Sequence, residues 1–222
     1  MAGWQAVLLS CTALAAISAT SAVAQDGSDA AGRTQLETIV IEGTGNGDDD
    51  ARTIVAKKAT GVGKMPTEVL KTPASVSVIT SKEVQERGAS TVEQVVQYTA
   101  GVVTDFYGSD DRFDYFDIRG FTPYTYRDGL PIGRTFGAAR EEPYAFERIE
   151  ILKGASSAGF GAAEPGGSVN YVTKLPKSER FGEVYGTVGS FSHKEAGIDF
   201  GDNITEDDTL SYRLTGIYQN AD

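Results

Sequence analysis

Between residues 106 and 140 the chain interleaves aromatic side chains with arginines, a combination that suits recognition of a large ligand. Aromatic rings give rigid contact area, and arginines give planar donors that stay charged at physiological pH. The same residue types also occur in a core and at its rim, so the pattern leaves both possibilities open. The aromatic residues are Phe106, Tyr107, Phe113, Tyr115, Phe116, Phe121, Tyr124, Tyr126 and Phe136, and the arginines are Arg112, Arg119, Arg127, Arg134 and Arg140.

Residue types suited to catalysis or metal binding are sparse. Asp110, Asp111 and Asp114 could act as paired acids, but nothing in the sequence raises that hypothesis above an exposed acidic loop. One histidine, His193, and one cysteine, Cys11, are too few for a common transition-metal site. We therefore expect neither an enzyme nor a resident cofactor. The net charge of −11 argues against a nucleic-acid partner, because phosphate binding needs clustered lysine and arginine.

The most informative segment is Tyr144–Pro176, in which many glycines separate two predicted strands. Glu147–Leu152 alternates charged with apolar residues and predicts a strand with one wet face. Ser168–Lys174 alternates again and predicts a second strand. The glycines between them, including the Pro165–Gly167 turn, predict tight turning or close approach of the backbone to another segment. A phosphate loop is not favoured, because no Gly-Lys-Ser/Thr follows the glycines.

Upstream, Ala74–Thr80 alternates and predicts a strand that leads into two short helices. Thr80, the last residue of that strand, forms a capping box with Glu83 at the start of a helix that ends at Gly88. Ser90 and Glu93 repeat the device for a second helix. The apolar residues of this second helix share one face and are expected in the core: Val92, Val95 and Val96.

The order of these elements resembles the plug domain of TonB-dependent outer-membrane receptors of the siderophore type. In that family an ER-x-E-x-x-x-G segment precedes a loop of small residues and then PGG-x-x-N-x-x-T/S-K-x-P. The matching residues here are Glu147, Arg148, Glu150, Gly154, Gly161, Pro165, Gly166, Gly167, Asn170, Thr173, Lys174 and Pro176, and Ile118–Phe121 matches the family's IRGF. Chance reproduces such an ordered set of unlike elements poorly. The resemblance covers residues 37–222.

The resemblance implies an α+β plug domain, a small mixed sheet with short helices, over residues 64–176. The chain before it is expected to hold a signal peptide at residues 1–24 and a flexible periplasmic arm at residues 25–63. Trp4–Ala22 is apolar, and Ala22–Ala24 forms a small-x-small cleavage site. A membrane anchor is the alternative, but the run is short for a bilayer crossing. The arm is rich in glycine, aspartate and threonine, as linkers are.

Within this arm lies a β-branched run, Glu37–Glu42, that cannot bury itself alone. Pairing with a sheet edge of another protein would satisfy it, and docking on its own domain is the alternative. The resemblance implies a TonB box that binds TonB, the energy-coupling protein. Its residues are Glu37, Thr38, Ile39, Val40, Ile41 and Glu42. The gap from Gln25 to Glu37 is too short to hold the periplasmic signalling domain that some receptors of this family carry. The resemblance therefore favours transport over transcriptional signalling.

The last segment contains three alternating runs, Phe181–Phe191, Lys194–Asp202 and Thr209–Tyr218. Each has about the ten residues that a tilted outer-membrane strand requires. Three strands cannot close a barrel, and an open edge in lipid leaves backbone groups unpaired. Residues 177–222 are therefore expected to begin a transmembrane β-barrel that further chain completes, and the resemblance implies that this barrel has 22 strands. A small sandwich sheet in a soluble periplasmic binding module is the alternative.

The resemblance implies TonB-dependent uptake of a ferric siderophore across the bacterial outer membrane. The expected partners are TonB, the ferric siderophore and outer-membrane lipid, and iron would arrive already chelated, as cargo. A receptor for a non-iron cargo remains an alternative, because several ligand classes share these motifs.

Two sets of site residues follow from the resemblance. Loops at residues 107–114, 123–126 and 134–138 are expected to face outward and contact the ligand. The expected ligand-binding residues are Tyr107, Arg112, Tyr124, Tyr126, Arg134 and Phe136. Arg119, Arg148 and Glu150 are expected to make ionic contacts between plug and barrel, with barrel glutamates beyond Asp222 as partners.

Overall fold

The computed structural model describes residues 51–220, apart from residues 109–111, 136–138, 156–158, 160–163, 206 and 208. The predicted signal peptide and the Glu37–Glu42 segment lie outside the described residues. Within the part described, no helix is both long enough and apolar enough to cross a membrane.

A mixed sheet of five strands forms the centre of the described chain. The strands in chain order are β1 (Lys58–Ala59), β2 (Thr67–Glu68), β3 (Ser75–Thr80), β4 (Val102–Thr104), β5 (Phe116–Ile118), β6 (Tyr124–Arg127), β7 (Leu130–Arg134), β8 (Phe146–Lys153), β9 (Gly167–Thr173), β10 (Phe181–Val188), β11 (Lys194–Asn203) and β12 (Ser211–Asn220). The central sheet has the order β3-β8-β9-β6-β7, with β6 parallel to β9 and the other pairs antiparallel. The expected small mixed sheet is confirmed.

The first helix, α1 (Ser81–Arg87), begins and ends as the sequence predicts. The hydroxyl of Thr80 accepts a hydrogen bond from the backbone N–H of Glu83 at 3.2 Å. Gly88 ends the helix in the left-handed region, at φ 62°, where glycine carries no steric penalty. The helix therefore packs back against β3 and β8.

The second helix, α2 (Val92–Val96), begins one residue later than predicted. Thr91 is its N-cap, and its hydroxyl accepts from the backbone N–H of Gln94 at 3.2 Å. Ser90 instead donates its own N–H to the side chain of Gln94. The predicted core face is confirmed, because Val92, Val95 and Val96 are each fully buried.

The hydrophobic core lies where α1, α2 and β5 cover one face of the central sheet. Its buried members are Ile79, Val84, Val92, Val95, Val96, Phe116, Ile118, Phe146, Ile149, Ile151, Val169 and Tyr171. The rings of Phe146 and Tyr171 stack with centroids 5.0 Å apart. Phe121 lies outside this core and is 45% exposed, because it follows the turn at Arg119 and Gly120.

The prediction that β8 has one wet face is wrong, since every residue from Phe146 to Leu152 is buried. The helices cover Ile149 and Ile151, while a second layer covers Arg148 and Glu150 on the opposite face. A register shift between Phe146 and Arg148 marks a β-bulge around Glu147. Bulges re-aim a side chain locally, and Glu147 contacts β12 instead of following the alternation of the strand.

The second layer is formed by residues 51–64, which we call the strap. Ala59 within it is 2% exposed. The hydroxyl of Thr80 donates to the carbonyl of Thr53 at 2.6 Å, and Lys57 accepts from Val69 at 2.9 Å. Thr53 and Thr60, which belong to the arm predicted to be flexible through residue 63, therefore contact β3 and β8 of the central sheet.

The Pro165–Gly167 turn brings three backbone segments together. A Cβ added at Gly166 would lie 2.0 Å from the carbonyl oxygen of Ile118, and one at Gly167 would lie 2.1 Å from that of Leu152. Gly167 also has φ of +148°. The predicted close approach of the glycine backbone is confirmed, and the approached segments are the ends of β5 and β8.

Strands β10, β11 and β12 form a separate antiparallel sheet, as the three alternating runs predict. The face away from the central sheet is apolar and exposed; Val184 is 80% exposed, Leu214 52% and Tyr218 66%. The opposite face carries Asp199 and Arg213, whose side chains are 6% and 5% exposed. The sheet is thus apolar outside and polar toward the central sheet.

Candidate functional sites

The aromatic segment after β4 contains an exposed ring supported by a buried one. Tyr107 is 70% exposed, and its ring meets that of Tyr115 edge to face, with centroids 5.0 Å apart. Tyr115 is 6% exposed and also contacts Phe113 edge to face. The guanidinium of Arg112 lies 5.8 Å from the Phe113 ring centroid. Tyr107 and Arg112 are therefore linked through the rings of Tyr115 and Phe113, and their contact with a ligand stays a prediction.

Tyr124 and Arg134 form a second pair, at the paired ends of β6 and β7. The Arg134 guanidinium lies 4.9 Å from the Tyr124 ring centroid and also pairs with Glu164. A guanidinium over a ring face is an attractive arrangement that keeps both groups available at the surface. Phe136, the remaining predicted ligand residue of this region, lies outside the described residues.

Tyr126 occupies a different position from the one predicted. Residues 123–126 are expected to be an outward loop, but Tyr124–Arg127 is strand β6, between β9 and β7 in the central sheet. Tyr126 is 1% exposed. The prediction that this side chain contacts ligand is corrected, because a buried ring in a central strand offers no accessible surface.

Two buried carboxylates underlie the aromatic segment. Glu93 on α2 is 8% exposed, and its Oε1 accepts the backbone N–H of Tyr115 at 2.5 Å. Asp114 is 5% exposed; its Oδ2 accepts the N–H of Glu141 at 3.1 Å, and its Oδ1 lies 3.7 Å from Arg140 Nε. Burial raises the pKa of both carboxyls above their ordinary values, although the backbone N–H donors oppose that rise.

These raised pKa values predict a measurable pH dependence of stability. The folded protein binds the Glu93 proton more tightly than the unfolded chain, so this group adds stability as pH falls from neutral through its raised pKa toward 4.5. Glu93→Gln removes the titration and should gain stability relative to wild type at about pH 7, with a smaller gain at about pH 5. Thermal unfolding of the intact protein at both pH values measures the difference. Glu86→Gln, on the exposed side of α1, is the control and should show no such trend.

Glu150 lies at the centre of a buried polar network that joins the strap to the sheet. Its Oε1 accepts from Arg148 Nε at 2.7 Å and from the N–H of Thr60 at 2.8 Å. The Thr60 hydroxyl lies 3.0 Å from both carboxylate oxygens, and Asn170 Nδ2 lies 3.3 Å from Oε2. Asn170 in turn accepts the N–H of Gly129 at 2.9 Å. Glu150 is 1% exposed, so this network is shielded from water.

The residues predicted to make ionic contacts between plug and barrel thus differ in position. Arg148 and Glu150 pair with each other inside the central sheet, with side chains 8% and 0% exposed. Arg148, Thr60 and Asn170 occupy both carboxylate oxygens of Glu150, so the prediction that Glu150 contacts a barrel is corrected. Arg119 is exposed and occupies a turn with φ of 53°. A barrel contact from Arg119 or Arg148 remains a prediction.

A second buried cluster, missed by the sequence analysis, joins the central sheet to β11 and β12. Arg213 lies 2.7 Å from Asp199 and 3.1 Å from Glu147, and Lys174 lies 2.9 Å from Asp199. The Lys174 ammonium also lies 3.8 Å from the Tyr144 ring centroid. Burial raises the pKa of Tyr144 to about 12, so its phenol stays neutral beside these charges. In the sequence, the only signal for this cluster is the alternation of β12, which places Arg213 on the face opposite the apolar side chains.

Comparison with known proteins agrees with the fold and the motifs. Residues 68–168 match the family model of the TonB-dependent receptor plug domain. The chain is 35% identical over 177 residues to the ferrichrome outer membrane transporter/phage receptor of Escherichia coli (strain K12), covering 77% of this chain and 24% of that protein. It is 31% identical over 181 residues to the ferrioxamine B receptor of Salmonella typhimurium (strain SL1344), covering 78% and 26%. The chain therefore spans about a quarter of the length of these curated relatives.

Solved structures give the same result. The ferric preacinetobactin receptor of Acinetobacter baumannii superposes with a TM-score of 0.67 at 26% identity, over 76% of this chain and 26% of that one. The ferripyoverdine receptor of the outer membrane of Pseudomonas aeruginosa superposes with a TM-score of 0.66 at 24% identity, over 73% and 22%, which shows the shared fold. Residues 68–168 are thus a receptor plug domain. The chain belongs to the TonB-dependent receptors, and its named relatives are siderophore receptors.

Proposed function

We propose that the protein is a receptor through which a Gram-negative bacterium takes up a ferric siderophore across its outer membrane, powered by TonB. The observation that carries this proposal is the 35% identity over 177 residues to a ferrichrome transporter. The relatives named above are a transporter and a receptor, and we therefore propose transport and no enzymatic activity. The exposed aromatic and arginine side chains supply the chemistry that a large, anionic and partly aromatic chelate requires.

The proposed ligand surface combines the two pairs described above, in which Tyr107, Arg112 and Arg134 are exposed and Tyr124 is half-buried. The first pair is Tyr107 with Arg112, and the second is Tyr124 with Arg134. Phe136, two residues after Arg134 in the chain, stays a predicted ligand residue. Flat rings would contact the apolar part of the chelate, while guanidinium groups would donate to its oxygens without any change of protonation. The iron stays within the chelate as cargo.

We also propose that residues 177–222 begin a transmembrane barrel that the plug occludes. The exposed face of β10–β12 carries apolar side chains at alternate positions, as lipid contact requires, and its other face is polar. The buried cluster of Arg213, Asp199, Lys174 and Glu147 would fix the plug to this wall from within. In this arrangement the strap and the residues before it face the periplasm.

Energy coupling is proposed to act through Glu37–Glu42, the predicted TonB box, behind a cleaved signal peptide. Ile39→Pro should lower energised uptake by at least about tenfold and leave surface binding of ligand intact, because proline removes a ladder N–H and prevents β-pairing. The measurement compares uptake with binding in cells at matched receptor levels, with ferrichrome and ferrioxamine B as probes.

Ile39→Val is the matched control, since it keeps a β-branched residue and should transport at the wild-type rate. Uptake by Ile39→Pro at that same rate would exclude this segment as the coupling strand. Failure of the wild-type protein to bind either probe would instead count against these cargoes.

A further inference from the structure

Glu93 and Asp114 connect elements that are distant in sequence but adjacent to the proposed ligand surface. Glu93 belongs to α2, and its partner Tyr115 lies 22 residues later, directly before β5. Asp114 precedes Tyr115 and accepts from the backbone of Glu141, which lies 27 residues further on. The adjacent residues Asp114 and Tyr115 are thus each held by a hydrogen bond between a carboxylate and a backbone N–H.

The hydrogen bond between Glu93 and Tyr115 is linked to the surface because the ring of Tyr115 packs against that of Tyr107. Its Oε1 holds the backbone of Tyr115, whose ring supports the exposed ring of Tyr107 at 5.0 Å between centroids. Phe106 supports Tyr107 from another side, at 5.1 Å. Because Tyr115 is nearly fully buried, a shift of its backbone would be transmitted to Tyr107 and not absorbed by solvent.

The contact of Asp114 fixes the chain on the other side of the ligand surface. Arg140 and Glu141 follow residues 134–138, the second predicted ligand segment, and both contact Asp114. Glu141 is itself held by Arg127 of β6, with its two carboxylate oxygens 2.7 and 2.6 Å from Arg127 Nη2. Asp114 therefore ties Arg140 and Glu141 to the segment that carries Tyr107 and Arg112.

A space of about 580 Å³ lies beside Glu93, lined in part by Asp105, Gly108 and Arg140. The charged groups that act on Glu93 are Asp105, Asp114 and Arg140, and those that act on Asp114 are Arg140 and Glu141. Since most of these are negative, an ionised pair is electrostatically unfavourable here.

We propose that Glu93 and Asp114 are positioning residues for ligand recognition: Glu93 sets the height and tilt of Tyr107 through Tyr115, and Asp114 holds Arg140 and Glu141 against the segment that carries Tyr107 and Arg112. The ligand part of this inference rests on the function proposed above. The positioning part concerns only the contacts within this chain.

A double-mutant cycle with Tyr107 tests the positioning by Glu93. Glu93→Ala removes the acceptor of the Tyr115 N–H and should weaken ferrichrome or ferrioxamine B binding by about five- to tenfold, as loss of an aromatic anchor does. Glu93→Gln keeps an acceptor oxygen and should restore affinity to within roughly threefold. In a Tyr107→Ala background, Glu93→Ala should add less than about twofold, because the two residues act through one contact.

Amide hydrogen exchange on the intact protein tests the positioning without any ligand. Glu93→Ala should speed exchange at Tyr115 by at least about tenfold, and Glu93→Gln and the exposed control Glu86→Ala should not. Unchanged exchange at Tyr115, or effects of Glu93→Ala and Tyr107→Ala that simply multiply, would overturn the proposal. If the wild-type protein binds neither probe, the proposed cargo fails, and the exchange result alone decides the positioning.

Discussion

Gly166→Ala is expected to prevent the plug domain from reaching its native packing. A methyl group at this position would lie 2.0 Å from the carbonyl oxygen of Ile118 and 2.9 Å from Cβ of Phe121. The first of these neighbours is backbone, so no change of side-chain rotamer can relieve the overlap. Overpacking typically costs about 1–3 kcal/mol, and a backbone clash of this size should reach or exceed the upper limit.

The expected loss can be measured as amide exchange of β9 in the intact protein. A loss of roughly 3 kcal/mol corresponds to about a hundredfold faster exchange through opening of the strand. Gly63→Ala is the matched control, because an added Cβ there meets nothing within 4 Å. Its effect should be small or slightly stabilising, through reduced freedom of the unfolded chain. Equal protection of β9 in the two variants would show that the turn can yield at no cost.

The strands that were predictable are those whose alternation is decided locally. β3, β9 and β10–β12 show a clear period of two, and the structure confirms each within a few residues. β6 was mistaken for a loop, although it pairs with β7 in a hairpin around Asp128 and Gly129 as well as in parallel with β9, at Tyr124↔Ser168 and beyond. Its sequence is short and follows Pro123, which is typical of a turn. The pairing with β9 leaves no local signal, whereas the Asp128-Gly129 turn between β6 and β7 is a local hairpin signal that the sequence analysis did not use.

The polar residues were predicted by type but not by partner. Glu150 was expected to contact a barrel, yet its partner Thr60 lies 90 residues away within the same domain. The Gly-rich composition around Thr60 indicated a linker, and nothing in it showed that the strap would cover β8. The same limit applies to Arg213. The alternation of β12 predicts which face of the sheet carries Arg213, but its partner Glu147 is placed by a β-bulge that the sequence does not reveal. Buried ion pairs depend on tertiary contacts that composition and periodicity do not encode.

Glu150→Ala should destabilise the central sheet by about 3–5 kcal/mol, because it removes one partner of a buried ion pair. Arg148, with its side chain 8% exposed, would lose its carboxylate, and Thr60 would lose the acceptor of both its N–H and its hydroxyl. Amide exchange across β8 and β9 in the intact protein should therefore rise by roughly two to three orders of magnitude. The matched control is Glu68→Ala, whose pair with Lys71 is solvent-exposed and should contribute at most about 1 kcal/mol.

Thr60→Val separates the strap from the ion pair. Valine keeps the shape and the backbone N–H of residue 60 but loses the hydroxyl that lies 3.0 Å from both oxygens of Glu150. Hydrogen bonds to charged groups contribute about 1.5–3 kcal/mol, so the strap should detach more often while Arg148 and Glu150 stay paired. Trypsin should then cut faster at Lys57 and Lys58 in the solubilised protein, with β8 exchange nearly unchanged. If Glu150→Ala and Glu68→Ala affect exchange alike, or if Thr60→Val leaves cleavage unaltered, Glu150 does not anchor the strap.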